Sequence, residues 1–313
     1  MNIQQLLQFR FNLPILIGFT VLLSVLHINT SFAEPSKEIR VSIIQIVEHP
    51  ELDATRQGIL DVLKKESKQP IHIDFQSAQG NSALATQIAQ QFVGTSPNVM
   101  VGIGTTATQA LISANQRYAI PIVFSSVSDP VGSKIVIDLK HPEGVVTGVS
   151  NFIDPALQFD LFKKILPKLT KLGVIYNPGE ANSVALVEQM KQIATQKGLE
   201  LVLATANTTA NVSQATHALV SKVQAIFINN DNTALSAFDS IVKISTKNKI
   251  PVFCSGIDMI KHGALATIGA NQYVVGQQTG KMILEILGGK SPHDIPVAFP
   301  EKTEIQIKSD NTP

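Results

Sequence analysis

Val99-Met-Val-Gly-Ile-Gly-Thr-Thr-Ala107 joins a short apolar run to a segment of helical spacing without an intervening loop. Because Val99–Ile103 lacks polar alternation, it is typical of a strand that is buried on both faces of a parallel sheet. The helix that follows begins directly after Gly104, with free N–H groups and the hydroxyls of Thr105 and Thr106 at its start. This stretch therefore predicts a strand, a helix and an anion-binding helix N-terminus.

The same alternation of short apolar runs and longer segments of helical spacing continues almost to the C-terminus. Strands are predicted at Ile39–Val47, Ile71–Phe75, Val99–Ile103, Ile120–Phe124, Val145–Val149, Leu172–Tyr176, Leu199–Ala204, Ala225–Ile228, Pro251–Cys254 and Leu265–Ile268. Further helices are predicted at Asp53–Lys65, Ser82–Val93, Pro155–Leu166, Ser183–Lys197, Ala234–Thr246 and Tyr273–Leu287. This order predicts a parallel α/β architecture. Because a sheet of ten strands usually splits into two packed units, we expect two lobes.

The composition excludes several classes of protein. Hydrophobic residues make up 44% of the 313 residues, so the chain can build a substantial core. Its 25 basic and 24 acidic residues give a formal charge of +1 without a basic run, so we expect no nucleic-acid partner. The single cysteine cannot close an intrachain disulfide or build a thiolate metal site. We expect neither a metal nor a cofactor.

The first 33 residues have the tripartite pattern of a secretory signal. A polar stretch with Arg10 precedes the apolar run Leu13–Leu26, and Ser31-Phe32-Ala33 suits cleavage after Ala33. As a helix, the fourteen apolar residues would extend roughly 21 Å, less than the ~30 Å of a bilayer core. A cleaved signal peptide at residues 1–33 is therefore favoured over a retained membrane anchor. Since no cysteine follows the apolar run, we expect no lipid anchor.

Polar residues follow several predicted strands, at the edge where open parallel sheets bind ligands. Such turns occupy residues 125–130, 177–183 and 229–233, in addition to the one at Thr105 and Thr106. Asp231 fits either a helix N-cap or a ligand-binding group. Together, hydroxyls, amides and two carboxylates at strand ends favour a small zwitterion over a phosphate.

Other interpretations of these residues stay open. Gly102-Ile-Gly-Thr-Thr-Ala107 fits the dinucleotide fingerprint G-x-G-x-x-A, but it follows the third strand and not the first. The two threonines could also cap a helix without any ligand. Motifs of hydrolases, metalloproteases and P-loop proteins are absent, and a Cys254–His262 nucleophile pair is the one catalytic alternative left.

Six strings resemble a single family. They are Val47–Asp53 (VEHPELD), Ala78–Asn81 (AQGN), Ser128–Gly132 (SDPVG), Thr147–Ser150 (TGVS), Tyr176–Ser183 (YNPGEANS) and Asp231–Thr233 (DNT). The chain resembles the exported substrate-binding component of ABC transporters, in the group that includes tryptophan- and tyrosine-binding proteins. The resemblance covers residues 39 to 299, and the Asn-Pro-x-Glu-Ala-Asn-Ser string is its most specific part.

The resemblance implies a type I periplasmic-binding fold, in which two doubly wound parallel-sheet lobes close on a ligand about a hinge. It implies one lobe of residues 34–147 and 264–290, and a second of residues 148–263 and 291–313. It also implies an ABC permease as partner. We expect the protein to be a monomer. The missing lipid-anchor cysteine suits a periplasmic location.

The strand ends and the matching strings together predict the ligand-binding residues Gln79, Thr105, Thr106, Ser128, Asp129, Ser150, Tyr176, Asn182, Ser183 and Asp231. We expect a ligand carboxylate at the helix N-termini of Thr105 and Thr106, and of Asn182 and Ser183. A ligand ammonium is expected at Asp231 or Asp129. The predicted ligand is an amino acid, preferably aromatic, with Tyr176, Phe152 and Tyr273 as the aromatic side chains nearest to strand ends.

Three functions compete at this point. A transport protein would bind its ligand reversibly, a sensor or adhesin-like module would use the same fold for signalling or attachment, and an exported enzyme would turn its ligand over. A sugar or nucleobase ligand is a further alternative within the first class. A transcriptional regulator is disfavoured because no DNA-binding helices precede the first strand.

Overall fold

The computed structural model describes residues 38–309, so the predicted signal peptide lies outside the described residues. The strands are β1 Ile39–Gln45, β2 Ile71–Ser77, β3 Val99–Ile103, β4 Ile122–Val127, β5 Val146–Ser150, β6 Lys171–Tyr176, β7 Glu200–Thr205, β8 Ala225–Ile228, β9 Val252–Cys254, β10 Ala266–Ala270 and β11 Thr303–Ile307. The helices are α1 Pro50–Glu66, α2 Ser82–Thr95, α3 Thr105–Asn115, α4 Pro155–Ile165, α5 Ala181–Gln196, α6 Val212–Val220, α7 Asn232–Ser236, α8 Phe238–Lys247 and α9 Gln272–Leu287. None of these helices is long and apolar enough to cross a membrane.

The first sheet is parallel throughout and has the order β2-β1-β3-β4-β5. Its central strands β3 and β4 are buried along their whole length, as the uninterrupted apolar runs predict. One continuous apolar core joins this sheet to the helices α1, α2, α3 and α9. We call this unit the first lobe.

The second sheet has the order β11-β10-β9-β8-β6-β7, and only its edge strand β11 is antiparallel. Consecutive residues of β8 point to opposite faces, and each face has its own apolar core. Ile226 belongs to one of these cores, whereas Phe227 belongs to the other, which includes Phe162 and Phe253. We call this unit the second lobe. The α/β fold with two doubly wound, mainly parallel sheets is confirmed.

The chain passes between the lobes at three places, and these differ from the expected lobe boundaries. The boundary expected after Thr147 falls inside β5, which stays in the first sheet to Ser150. The segment expected in the first lobe from Ala264 is divided, because β10 pairs with β9 in the second sheet before α9 packs on α1.

The C-terminal segment is divided in the same way. It was expected in the second lobe from residue 291, but the Ala298 N–H first donates to the Gly148 carbonyl beside β5. Only β11 then joins the second sheet. The physical reason for all these shifts is that strand pairing, which a single sequence does not display, decides the lobe of each segment.

Helices α1 and α9 pack at very short distance through glycines. A Cβ at Gly276 would lie 2.0 Å from the Thr55 carbonyl oxygen, and one at Gly58 would lie 2.2 Å from the Tyr273 carbonyl oxygen. Both obstructing atoms are backbone, so neither can move aside by a side-chain rotation. This packing fixes α9 on the first lobe although the preceding strand β10 lies in the second.

Candidate functional site

A cavity of about 840 Å³ lies between the carboxyl ends of strands from the two lobes. The first lobe contributes residues that follow β1, β2 and β3, and the second contributes residues that follow β6, β7 and β8. The lining residues are Ile46, Val47, Gln79, Gly80, Asn81, Ser82, Thr106, Asn177, Pro178, Gly179, Glu180, Asn207, Thr208, Thr209, Ala210, Asn232, Thr233 and Ser236. This is the position at which open parallel sheets bind ligands, and the volume suits a small molecule.

Amides and hydroxyls dominate the polar lining of this cavity, and Glu180 is its one ionisable residue. The Glu180 carboxylate is fully engaged at the start of α7. Its Oε2 accepts from the N–H and Nδ2 of Asn232 at 3.0 and 2.7 Å, and its Oε1 accepts from the N–H and Oγ1 of Thr233 at 2.9 and 2.7 Å. The specific Asn-Pro-x-Glu string thus holds the rim of the cavity in place.

Asp231 is completely buried and acts as the N-cap of α7. Its Oδ1 accepts from the Ala234 N–H at 2.7 Å, and its Oδ2 accepts from the Asn177 N–H at 2.6 Å. Burial, followed by the neighbouring charge of Glu180, raises the pKa of Asp231 to about 7. Of the two roles that the sequence left open, the structure shows the N-cap; an ammonium-binding role stays a prediction.

Thr105 and Thr106 begin α3, which starts directly at the end of β3 as predicted. Gly104 has φ of +91°, a conformation that glycine adopts without strain and that turns the chain sharply from strand into helix. Thr106 lines the cavity, whereas Thr105 is buried and its hydroxyl has no hydrogen-bond partner in the described part of the chain. A buried hydroxyl without a partner is costly in an apolar setting. A ligand contact for Thr105 stays a prediction.

Two further amides at strand ends of the second lobe have free hydrogen-bonding capacity. Asn182 donates from Nδ2 to the Asn230 carbonyl at 2.8 Å, but within residues 38–309 its Oδ1 has no partner. Neither side-chain atom of the buried Asn229, which follows β8, has a partner in that range. The predicted Ser183 is buried at the start of α5, beside Asp231.

Ser128, Asp129 and Ser150 lie at a crossover between the lobes. The Ser128 hydroxyl donates to Asn151 Oδ1 at 2.9 Å and accepts from Asn230 Nδ2 of the second lobe at 3.2 Å. Asp129 Oδ2 accepts from Gln189 Nε2, also across the lobes, at 3.2 Å. The Ser150 hydroxyl accepts from the Phe152 N–H at 3.1 Å. These residues connect the lobes, and a direct ligand contact for them stays a prediction.

Gln79 and Thr106 are the predicted site residues that line the cavity. Gln79 has φ of +52° and lies in the turn between β2 and α2, whose N-terminus Asn81 caps. Tyr176 is partly buried against the core of the second lobe and lies outside the lining. Tyr273 donates to Asp61 Oδ2 at 2.8 Å and therefore binds a first-lobe helix. The aromatic side chains expected near the ligand are not among the lining residues of this cavity.

The sequence reasoning also missed lining residues. The loop Asn207–Ala210 lines the cavity after β7, although its run of Asn and Thr directly follows a predicted strand. The criterion that identified Thr105, a polar residue directly after a predicted strand, also identifies this loop.

The catalytic alternative finds no support in the geometry. Cys254 is completely buried, burial raises its pKa, and its sulfur accepts from the Gly256 N–H at 3.3 Å. His262 Nδ1 instead contacts Asp239 Oδ1 at 3.0 Å. The two side chains thus have separate partners, and the thiol is neutral at physiological pH.

Comparisons with known proteins agree with this geometry. A tyrosine-binding protein from Clostridioides difficile is 34% identical over 280 residues, covering 88% of this chain and 81% of that protein. A crystal structure of an ABC domain from Streptococcus pneumoniae in complex with L-Trp has 33% identity and a TM-score of 0.82, over 86% of this chain and 92% of that one.

A third relative was solved in a ligand-free, open form. This substrate binding protein with adhesive properties from Clostridium difficile has 35% identity and a TM-score of 0.64, over 87% of this chain and 92% of that one. A family model described as ABC transporter substrate binding protein matches residues 40–310. The chain therefore belongs to the family of ABC transporter substrate-binding proteins.

Proposed function

We propose that this protein captures an amino acid, preferably an aromatic one, between its two lobes and delivers it to an ABC permease. The observation that carries the proposal is the cavity between the carboxyl ends of both sheets, because a ligand there contacts both lobes at once. The neutral amides and hydroxyls of its lining suit a zwitterion, whose two charges cancel. Relatives that bind tyrosine and L-Trp support the choice of ligand class.

Hinge closure is part of this proposal. The relative with bound L-Trp has a TM-score of 0.82, whereas the ligand-free, open relative of similar identity has 0.64. The lobes of this chain already contact each other through Ser128–Asn230 and Asp129–Gln189. A ligand that touches both lobes favours the closed form by its higher affinity for that form.

Substrate-binding proteins of this family are binders and not enzymes, which confirms the expectation of binding without turnover. They are generally extracytoplasmic and work with ABC permeases. For this chain we propose export by the cleavable segment at residues 1–33, a periplasmic location and a monomeric state. A second candidate function, attachment to surfaces, is favoured only by the adhesive properties of one relative.

A thermal-shift screen tests the proposal. Purified protein is unfolded and refolded to remove bound ligand, then heated with each of the twenty amino acids, common sugars and nucleobases. A ligand that binds only the folded state raises the melting temperature by mass action. We expect the largest rise with Tyr, Trp or Phe. A rise with sugars or nucleobases alone would contradict the proposed ligand class.

A further inference from the structure

The cavity lining provides no free carboxylate for a ligand ammonium. Glu180 is occupied by four hydrogen bonds to Asn232 and Thr233, and Asp231 accepts two backbone N–H groups away from the lining. An α-amino acid buried between the lobes nevertheless brings a positive charge, which needs a partner when it leaves water. A buried acidic group at the lobe interface with a free oxygen would provide such a partner.

Glu51 meets these conditions. It lies on the first turn of α1, beyond the carboxyl end of β1, and its side chain is buried. Its Oε1 accepts from the Asp258 N–H of the second lobe at 3.3 Å, while its Oε2 has no hydrogen-bond partner among residues 38–309. No Lys, Arg or His forms an ion pair with it in that range.

The second lobe is what covers Glu51. A Cβ built on Gly256, which follows β9, would lie 2.7 Å from the Glu51 carboxyl carbon, so the glycine lets the two lobes meet here. Glu51 belongs to the first lobe and Gly256 to the second. Separation of the lobes would therefore expose the carboxyl group to the cleft, and closure would bury it with whatever ligand is bound.

The start of α1, where Glu51 lies, adjoins the start of α3, where a ligand carboxylate is predicted to bind. Strands β1 and β3 are neighbours in the first sheet, and α1 and α3 begin at their adjacent carboxyl ends. Leu52 Cδ1 would lie 3.9 Å from a Cβ on Gly104, the residue before Thr105. Neighbouring strands are about 4.8 Å apart, and the two charged groups of an α-amino acid are separated by only one carbon atom, so one ligand can reach both strand ends.

His49 lies close to the cavity, whereas Glu51 is not one of its lining residues. Two residues before Glu51, the buried His49 ring contacts Asn232 of the second lobe at 3.4 Å, and Asn232 lines the cavity. Burial lowers the pKa of His49 to about 4, so the ring is neutral and does not compete with a ligand ammonium for the carboxylate.

We propose that Glu51 is the residue that recognises the α-ammonium group of the ligand, opposite a carboxylate held at the start of α3 by Thr105. This inference rests on the proposed function and specifies it: the ligand must carry both a free amino group and a carboxylate. Burial, followed by the charge of Asp258, raises the pKa of Glu51 to about 8. A positive ligand group at its free oxygen would restore the charged form.

The test compares amino acids with analogues that lack only the amino group. The pairs are L-tyrosine with 3-(4-hydroxyphenyl)propionate, L-tryptophan with indole-3-propionate and L-phenylalanine with 3-phenylpropionate. Affinities are measured by isothermal titration calorimetry on the refolded protein and on Glu51→Gln. The glutamine keeps the shape of a protonated glutamic acid, so this variant retains the neutral form that burial favours.

We expect the unchanged protein to bind the amino acid at least tenfold more tightly than its analogue. Glu51→Gln should lose at least tenfold in affinity for the amino acid and less than threefold for the analogue. Equal losses for both compounds would mean that Glu51 only supports closure, and they would overturn the inference. Unchanged affinity for the amino acid would overturn it as well.

Glu66→Gln is the matched control, because it makes the same change at the opposite end of α1, where the side chain is exposed. We expect less than a threefold change in affinity for either compound. Glu51→Asp, which keeps the charge but shortens the side chain, should retain part of the preference for the amino acid. If the unchanged protein binds no amino acid, the proposed ligand class fails, and that outcome differs from a failure of Glu51 alone.

Discussion

Two acidic residues, Asp231 and Glu180, show that burial and hydrogen-bond partners decide the role of a side chain. Asp231 follows a strand end, as a ligand-binding acid would, but both of its oxygens accept backbone N–H groups within the second lobe. Glu180 lies inside the Asn-Pro-x-Glu string and not directly at a strand end, yet its carboxylate borders the cavity. The sequence places both acids near the site; the direction of each side chain follows from contacts between segments that are about 50 residues apart.

The N-cap role of Asp231 predicts a loss of stability on substitution. Asp231→Ala removes the acceptor of two backbone N–H groups, so we expect the free energy of unfolding to fall by about 2 kcal/mol. Urea denaturation of the ligand-free protein measures this change. Asp129→Ala is the control, because its hydrogen bond with Gly132 is exposed and its hydrogen bond with Gln189 is long. This variant should lower the free energy of unfolding clearly less. Equal stability of the two variants would contradict the N-cap role.

The buried His49 predicts a pH dependence of stability. Its pKa is lowered to about 4, chiefly by burial, while Asn232 and Asp53 act in the opposite direction. The unfolded chain therefore binds a proton at His49 at higher pH than the folded chain does. The contribution of the neutral His49 ring to the stability of the folded protein is therefore complete above the unfolded pKa of about 6.5. This contribution is lost as the pH falls towards 4.

Urea midpoints at pH 7 and pH 4.5 measure this effect. His49→Gln, which cannot become charged, should lower the midpoint at pH 7 and reduce its further fall at pH 4.5. His72→Gln is the control, since His72 is exposed and bound to Asp74 at the surface, and its pH profile should follow that of the unchanged protein. An identical pH profile for His49→Gln would show that the buried ring does not control acid sensitivity.

At the scale of elements, the contact between α1 and α9 depends on the absence of side chains. Gly276→Ala would place a methyl group 2.0 Å from the Thr55 carbonyl oxygen, so the two helices must separate. Overpacking of this kind typically lowers the free energy of unfolding by about 1–3 kcal/mol. Gly94→Ala is a matched control, since it lies in α2 with open space around it and should be neutral or slightly stabilising. Thermal melts compare the two variants, and equal melting temperatures would contradict this packing argument.

Elements with a strong apolar pattern could be predicted from the sequence, and weakly patterned ones could not. All ten predicted strands are confirmed. Most are apolar because both faces of the strand are buried, whereas the edge strands β2 and β7 are only partly buried. Strand β11, with the sequence Thr-Glu-Ile-Gln-Ile, lies at the edge of its sheet and was not predicted. Its alternation of polar and apolar residues is short, and most of these residues are exposed. Helix α6 was missed after a polar Asn-Thr loop, and the helix predicted at Ala234–Thr246 is divided into α7 and α8 at Ala237.

At the scale of the whole molecule, ligand affinity contains the free energy of closing the lobes. Hydrogen bonds that join the lobes without touching the ligand stabilise only the closed form. Gln189 Nε2 donates to Asp129 Oδ2 across the lobes at 3.2 Å, and Gln189 does not line the cavity. Such a bond changes the fraction of closed protein and therefore the apparent affinity for every ligand.

Gln189→Ala should consequently lower the affinity for all ligands by the same factor. A net contribution of about 0.5–1.5 kcal/mol for one hydrogen bond corresponds to roughly a two- to tenfold loss of affinity. Calorimetry with tyrosine, tryptophan and phenylalanine tests whether their ratio of affinities stays constant, and small-angle scattering tests whether saturating ligand still reduces the radius of gyration. Gln91→Ala is the control, because Gln91 accepts from Gln76 within the first lobe and should leave affinity unchanged. A change in ligand preference on Gln189→Ala would place this residue in the binding site, since closure alone acts on all ligands equally.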